Sequence, residues 1–234
     1  MPNKVVHYKS IGQVTFFRNR RSKSMKISIK PDKSVLVSFP IYVTEKEVKT
    51  FLSQHETWII QQQQTIDTKR KRFTEGMVIN TKMHTIELHT ATYARMDLKS
   101  NIIKQYAPEY NSERMQRNIE KLITNVYRVE AHLILPDKLD TLATQYGFKY
   151  NNVTIRNNKR NWGSCSSQNN ISLNLQLMKL PDHLIDYVLL HELVHTEIKD
   201  HSTNFWNRLN QITNNRARQL ANEVKKYSTY ISCQ

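Results

Sequence analysis

Glycine and cysteine are both scarce in this chain of 234 residues, which has 4 of the first and 2 of the second. So little glycine excludes collagen-like and low-complexity composition. Two cysteines cannot build a disulfide scaffold or a cysteine-only zinc finger. Cys165 and Cys233 lie far apart and neither belongs to a C-x-x-C pair, so free thiols are expected. No apolar run approaches the roughly 20 residues that cross a bilayer. The stretch from Met1 to His7 also lacks the apolar core of a secretory signal. The expectation is a cytoplasmic protein without membrane contact.

Acidic side chains are few as well. Asp and Glu number 20 against 35 Lys and Arg, a net charge of +15 with a pI near 9.8. Such an excess attracts polyanions. Basic residues gather at Arg18, Arg20, Arg21 and Lys23, and again from Lys69 to Arg72. No helix-turn-helix, finger or aromatic-rich sheet signature accompanies them, so nucleic acid stands as a partner on charge alone.

What is present reads as a globular protein with 38% hydrophobic residues. Residues 13–17, 25–29 and 34–39 place apolar groups at period two, and Pro31 to Ser34 has turn chemistry, so a hairpin or meander is expected. Thr44 and Glu47 fit a capping box, followed by Val48, Phe51, Leu52, Trp58 and Ile59 at helical spacing. Gln61 to Gln64 read as the polar end of that helix. Short strands follow around residues 78–79, 85–89 and 96–98. From Ser112 an apolar stripe through Ile119, Ile123, Val126 and Leu133 marks a helix. Pro136 is expected to interrupt it, with a second helix capped by Gly147. Residues 149–156 and 170–175 read as strands, with Gly163 in the segment between them, and Pro181-Asp182 opens another helix. No internal repeat is visible. The fold class is α+β: a β-rich region over residues 1–105, then a helical domain over 106–234 with a small sheet.

That last helix carries His191-Glu192-Leu193-Val194-His195. Two histidines four apart project from one helix face and can reach one ion. Glu192 adjoins that face, where it can take a proton from water without filling a coordination site. The preceding run Tyr187 to Leu190 predicts a largely buried helix, in which unpaired imidazoles and a carboxylate would be costly. Nitrogen ligands with an open fourth position suit zinc.

A third protein ligand is required, and Glu197, Asp200, His201 and Glu223 lie downstream. His201 is favoured on spacing, provided the helix ends after about Thr196 and the chain bends back; Glu223 is the carboxylate alternative. Ser202 or Asp200 can cap the helix that follows. Phe205 and Trp206 read as core residues, and Cys165 as a small packed one. His84, His89, His132 and His183 have no partner spacing.

Several motifs occur in one order: Asn161-Trp162-Gly163-Ser164-Cys165-Ser166, Ile171-Ser172-Leu173-Asn174, Asp186-Tyr187-Val188, the His191–His195 pentamer and His201-Ser202-Thr203-Asn204-Phe205-Trp206. Together they resemble the YgjP-like metallopeptidase family, related to the SprT and Spartan proteases. The resemblance covers most of the chain and is most specific over residues 156–206. It implies a zincin-like domain with His191, His195 and His201 as Zn²⁺ ligands and Glu192 as general base. It also implies a substrate cleft bordered by Trp162, Gly163, Ser164, Cys165 and Asn174. One departure appears: family members usually carry Arg just before the Trp, whereas this chain has Asn161, with Arg160 one place earlier.

The expected function is zinc-dependent hydrolysis of peptide bonds in a peptide or protein substrate. The rival is a basic nucleic-acid-associated protein whose zinc site is structural or vestigial.

Overall fold

The computed structural model describes residues 4–30, 32–69 and 72–229. Readings that rest on Met1 to Asn3, Pro31, Arg70, Lys71 or Cys233 lie outside the described residues. The fold is α+β, as its sequence periodicities require, and two compact units part between Lys71 and Arg72. Among the described residues no helix is long and apolar enough to cross a membrane.

The first unit begins with β1 (Lys4–Tyr8), β2 (Gly12–Arg18), β3 (Lys26–Ile29) and β4 (Val35–Phe39). They form one sheet in the order β1-β2-β4-β3. The outer pairs are antiparallel, but β2 and β4 run parallel. The expected hairpin is β3–β4; a full meander is excluded because β4 returns to the inside of the sheet. β1 has no sequence signature because all its side chains are at least partly exposed, without clean alternation.

Thr44 then caps α1 (Glu45–Gln54): its Oγ1 accepts from the Glu47 N–H at 3.3 Å, and its own N–H donates to Glu47 Oε2 at 2.8 Å. The single helix expected here is two. It breaks at His55, whose Nδ1 sits 2.8 Å from the Phe51 carbonyl, and α2 (Glu56–Lys69) follows. Val48, Leu52 and Ile59 bury against Val14, Val35, Val37 and Phe39, at about 1.5–3 kcal/mol for each large side chain. The glutamines lie mid-helix rather than at its end, and Gln63 donates to the carbonyls of Ile11 and Lys33.

The second unit opens with β5 (Val78–Asn80), β6 (Thr85–Thr90), β7 (Arg95–Lys99) and β8 (Ile102–Ala107) in a sheet ordered β5-β6-β8-β7. Next, α3 (Glu113–Tyr146) runs unbroken through Pro136. A mid-helix proline costs about 3 kcal/mol, but Ala131, Leu135, Leu139 and Ala143 are buried on both sides of it and hold the two halves in line. Gly147 ends the helix at φ 77°, in the left-handed region glycine tolerates.

A three-stranded sheet follows, ordered β10-β11-β9, from β9 (Asn152–Arg156), β10 (Gly163–Cys165) and β11 (Asn170–Asn174). Gly163 therefore starts an edge strand instead of sitting in a connecting segment. A short 3₁₀ turn leads into α4 (Asp182–Glu197), then α5 (Thr203–Ile212) and α6 (Ala217–Val224). α4 is buried almost all round and packs against α3, β10, α5 and α6.

Candidate metal centre

Helical pitch sets the first two imidazoles: four residues apart on α4, the rings of His191 and His195 have centroids 4.9 Å apart. The third needs the chain to reverse. α4 ends at Glu197, with Ile198 extended at φ −126° and ψ 107°. Lys199 then donates to the Ser166 carbonyl at 2.9 Å and to Asn169 Oδ1, clipping the bend to the β10–β11 turn. Asp200 Oδ1 accepts from the Ser202 N–H at 3.2 Å, tightening the entry to α5. Ser202 is the N-cap residue, although its side chain makes no capping bond.

His201 Nε2 thereby comes 3.1 Å from His191 Nε2 and 3.3 Å from His195 Nε2. A ligand atom from each of the three lies within 4.8 Å of the others. Phe205, fully buried in α5, backs all three rings at centroid distances of 4.5 to 4.9 Å. The other candidates are engaged elsewhere. Glu197 pairs with Arg208 at 3.2 Å, Asp200 is held in its turn, and Glu223 meets His183 at 3.0 Å. His183 thus has a partner, as do His84 with Glu130 and His89 with Glu87.

The donor set fits a cation. His195 Nδ1 lies 3.0 Å from the Ile198 carbonyl. Donation of its proton there leaves the Nε2 lone pair facing the other rings. Lone pairs converging on one point repel unless a positive charge stands between them. Tetrahedral ligation at zinc–nitrogen distances of about 2.0–2.1 Å separates ligand nitrogens by roughly 3.3 Å, close to the two spacings here. Burial, then the neighbouring His195 and His201, pushes the His191 imidazolium down to about 3. Burial also lowers His195. Both rings are therefore neutral and able to ligate at neutral pH.

Glu192 is 5% exposed, and its Oε2 has no hydrogen-bond partner. Burial pushes this carboxyl up to about 8, and a cation held by the neighbouring histidines would favour its charged, proton-accepting form. Its side chain lies against Gly163: a Cβ at that position would stand 2.7 Å from Glu192 Cγ and Oε1. Any residue but glycine would displace the carboxylate.

The remaining cleft residues separate. Trp162 and Gly163 line a cavity of about 400 Å³ that also takes in His191, Glu192 and His201; Ser164 and Cys165 do not line it. Cys165 sits 3.7 Å from Lys199 Nζ, and burial pushes its thiol up. Asn174 is fully buried and lies outside the cavity lining: its amide donates to the carbonyls of Asn158 and Asn161, and its Oδ1 accepts from the Gln176 N–H. It shapes the loop that carries Trp162. Asn161, at the position of the departure, donates to the Gly163 carbonyl at 3.0 Å.

Tyr187, Trp206 and Arg218 also line the cavity. Trp206, expected in the core, forms part of that wall. Tyr187 could have been found as the residue one helical turn before His191 on the same face. Arg218 gave no such signal.

A family model described as YgjP-like, metallopeptidase domain, matches residues 23–227. Two solved structures are similar over part of the chain. One is the metallopeptidase zymogen abylysin of Pyrococcus abyssi, 22% identical over 40% of this chain and 93% of that one, with a TM-score of 0.37. The other is the metallopeptidase zymogen jannalysin of Methanocaldococcus jannaschii, 23% identical over 39% and 93%, with a TM-score of 0.35. No curated protein matches the chain.

Proposed function

The chain belongs to the YgjP-like metallopeptidase family, and on that premise we propose that it is a zinc-dependent peptidase with His191, His195 and His201 as ligands and Glu192 as general base. The convergence of three imidazole nitrogens beside a buried, unpartnered carboxylate carries this reading. When bound, zinc supplies a Lewis acid that acidifies water and polarises a carbonyl.

The protein's own groups do the rest. Glu192 takes the proton of the attacking water and returns it to the leaving amine. Gly163 leaves Glu192 the space it occupies. Phe205 holds the three rings in register by packing behind them. β10 is an edge strand packed beside α4, and such an edge binds an extended peptide by main-chain hydrogen bonds. Asn161 occupies the Gly163 carbonyl, so pairing draws on the rest of the edge. The reading includes the cytoplasm as the place of action.

Metal content and peptide hydrolysis of the purified protein test it. Glu192→Gln should keep its metal and lose activity by about 10²-fold or more, whereas His201→Ala should lose metal. Equal hydrolysis by the parent and Glu192→Gln would reject the general base, and full metal occupancy in His201→Ala would reject the third ligand.

A further inference from the structure

Beyond His191, Glu192 and His201, the cavity has a second chemical character, supplied by α6. Residues 218, 221, 222 and 225 recur at one-turn spacing, which puts them on one helix face, and all four line the cavity. Ala221 leaves room at the centre of that face, while Arg218 and Lys225 flank it with positive charge. The Arg218 guanidinium carbon lies 3.5 Å from the centre of the Trp206 ring. Stacking of this kind holds the planar donor group in place while leaving its N–H edges free to bond.

Neither cation has an ion-pair partner among the described residues. Lys225 donates to Asn222 Oδ1 at 3.2 Å, and the nearby Glu223 is turned to His183. Glu192 is the one carboxylate among the lining residues, and the proposed reaction uses it. Trp162, Tyr187 and Val188 supply apolar surface from outside α6, and Val224 adds to it from α6 itself. A volume of about 400 Å³ lies within the roughly 300–1,000 Å³ range of small-ligand pockets.

We propose that this cavity is a substrate subsite for a bulky apolar residue together with a carboxylate, the apolar group lying between Trp162 and Trp206 and the carboxylate on Arg218, with Lys225 adding attraction. The proposal rests on the peptidase reading only in taking the ligand to be a peptide. A carboxylate at this place has two sources, the C-terminus of the peptide or an acidic side chain next to the apolar one.

Binding is read from the fluorescence of Trp162 and Trp206, with Trp58 of the other unit replaced by Phe and Glu192→Gln added so that peptides are not consumed. Three probes suffice: acetyl-Ala-Ala-Phe as the free acid, the same peptide as its amide, and acetyl-Ala-Phe-Glu amide. At least one of the acids should bind about tenfold more tightly than the neutral amide, and the preferred one identifies the source. Arg218→Gln should reduce that difference to about twofold or less, and Arg218→Lys, which keeps charge without the planar fork, should fall between. Ala221→Phe, which fills the cavity, should weaken all three peptides.

Equal affinity for acids and amide, or a difference that survives Arg218→Gln, would overturn the subsite. Discrimination that holds while the parent protein hydrolyses no peptide would leave the subsite standing and remove the peptidase reading instead.

Discussion

The sheets β1–β4 and β5–β8 are wired alike and built differently. Each runs in the order first, second, fourth, third; each has antiparallel outer pairs and a parallel central pair; each is followed in the chain by helix. The first is fastened by apolar packing, with Val14, Val35, Val37 and Phe39 under Val48, Leu52 and Ile59 of its own helices. The second has β7 exposed along its whole length, and α3 holds its flanks through buried polar groups. Gln116 bonds both the N–H and the carbonyl of Phe73, and the carbonyl of Tyr110. Glu130, fully buried, accepts from the N–H groups of Lys82, Met83 and His84 and from the Thr81 hydroxyl. Ile86, Leu88 and Ile103 of the second sheet are buried as well, so one topology can be closed chiefly by area or by area reinforced with buried directed bonds. The directed bonds add specificity against the partner helix, because each needs a particular atom opposite it.

The second sheet is also tied to α4, the helix that carries His191 and His195. Lys82, in the β5–β6 turn, pairs with Asp182 in the first turn of α4 at 2.6 Å, and Lys138 of α3 pairs with Asp186 at 2.7 Å. The first unit's sequence carries a different property: more than half of the net positive charge falls in residues 1–71.

Glu130→Ala should give the largest effect. It strips several buried donors of their acceptor at once, a loss of about 3–5 kcal/mol. Denaturant unfolding measures the total, and hydrogen exchange should locate the loosening within residues 72–146. Faster exchange confined to residues 4–69 would break the contrast between the sheets. Leu52→Ala in the apolar sheet should cost about 2–5 kcal/mol, loosening residues 4–69 while metal content stays that of the parent. A drop in metal content would show that the first unit also supports the site.

Local chemistry was the legible part. The capping box at Thr44 and Glu47, the left-handed Gly147 and the His191–His195 spacing each depend on residues within a turn or two of one another, and each appears where the sequence put it. Pairing between distant segments was not legible. The parallel β2–β4 and β6–β8 pairs, the edge position of β10 and the continuity of α3 through Pro136 are decided by packing that no window of sequence contains. Gln116 and Glu130 look like ordinary polar residues of a long helix, because their burial depends on which turns lie over them. For the same reason Arg218 and Trp206 became neighbours only when α5 and α6 were folded together.

The smallest effect should come from Lys82→Met, which removes the ion pair between the second sheet and α4. Lys82 is 22% exposed but Asp182 is 68% exposed, so water screens the pair and its contribution is about 1 kcal/mol or less. Its pH dependence is still diagnostic. The hydrogen bond from Lys82 holds the Asp182 carboxyl below the usual carboxylate range. In the unfolded chain this carboxyl binds protons at a higher pH than in the folded one, so stability is present above about pH 4 and is lost as the pH falls through the folded value. The parent should therefore lose stability on acidification slightly more steeply than Lys82→Met, and the two should converge at low pH. Metal content should change little, because His191 and His195 lie on later turns of α4 and His201 in the bend beyond it, held by Phe205 and the Lys199 clip. A several-fold loss of metal affinity in Lys82→Met would show instead that the bonded sheet positions the metal helix, and the difference between the two sheets would then be functional as well as structural.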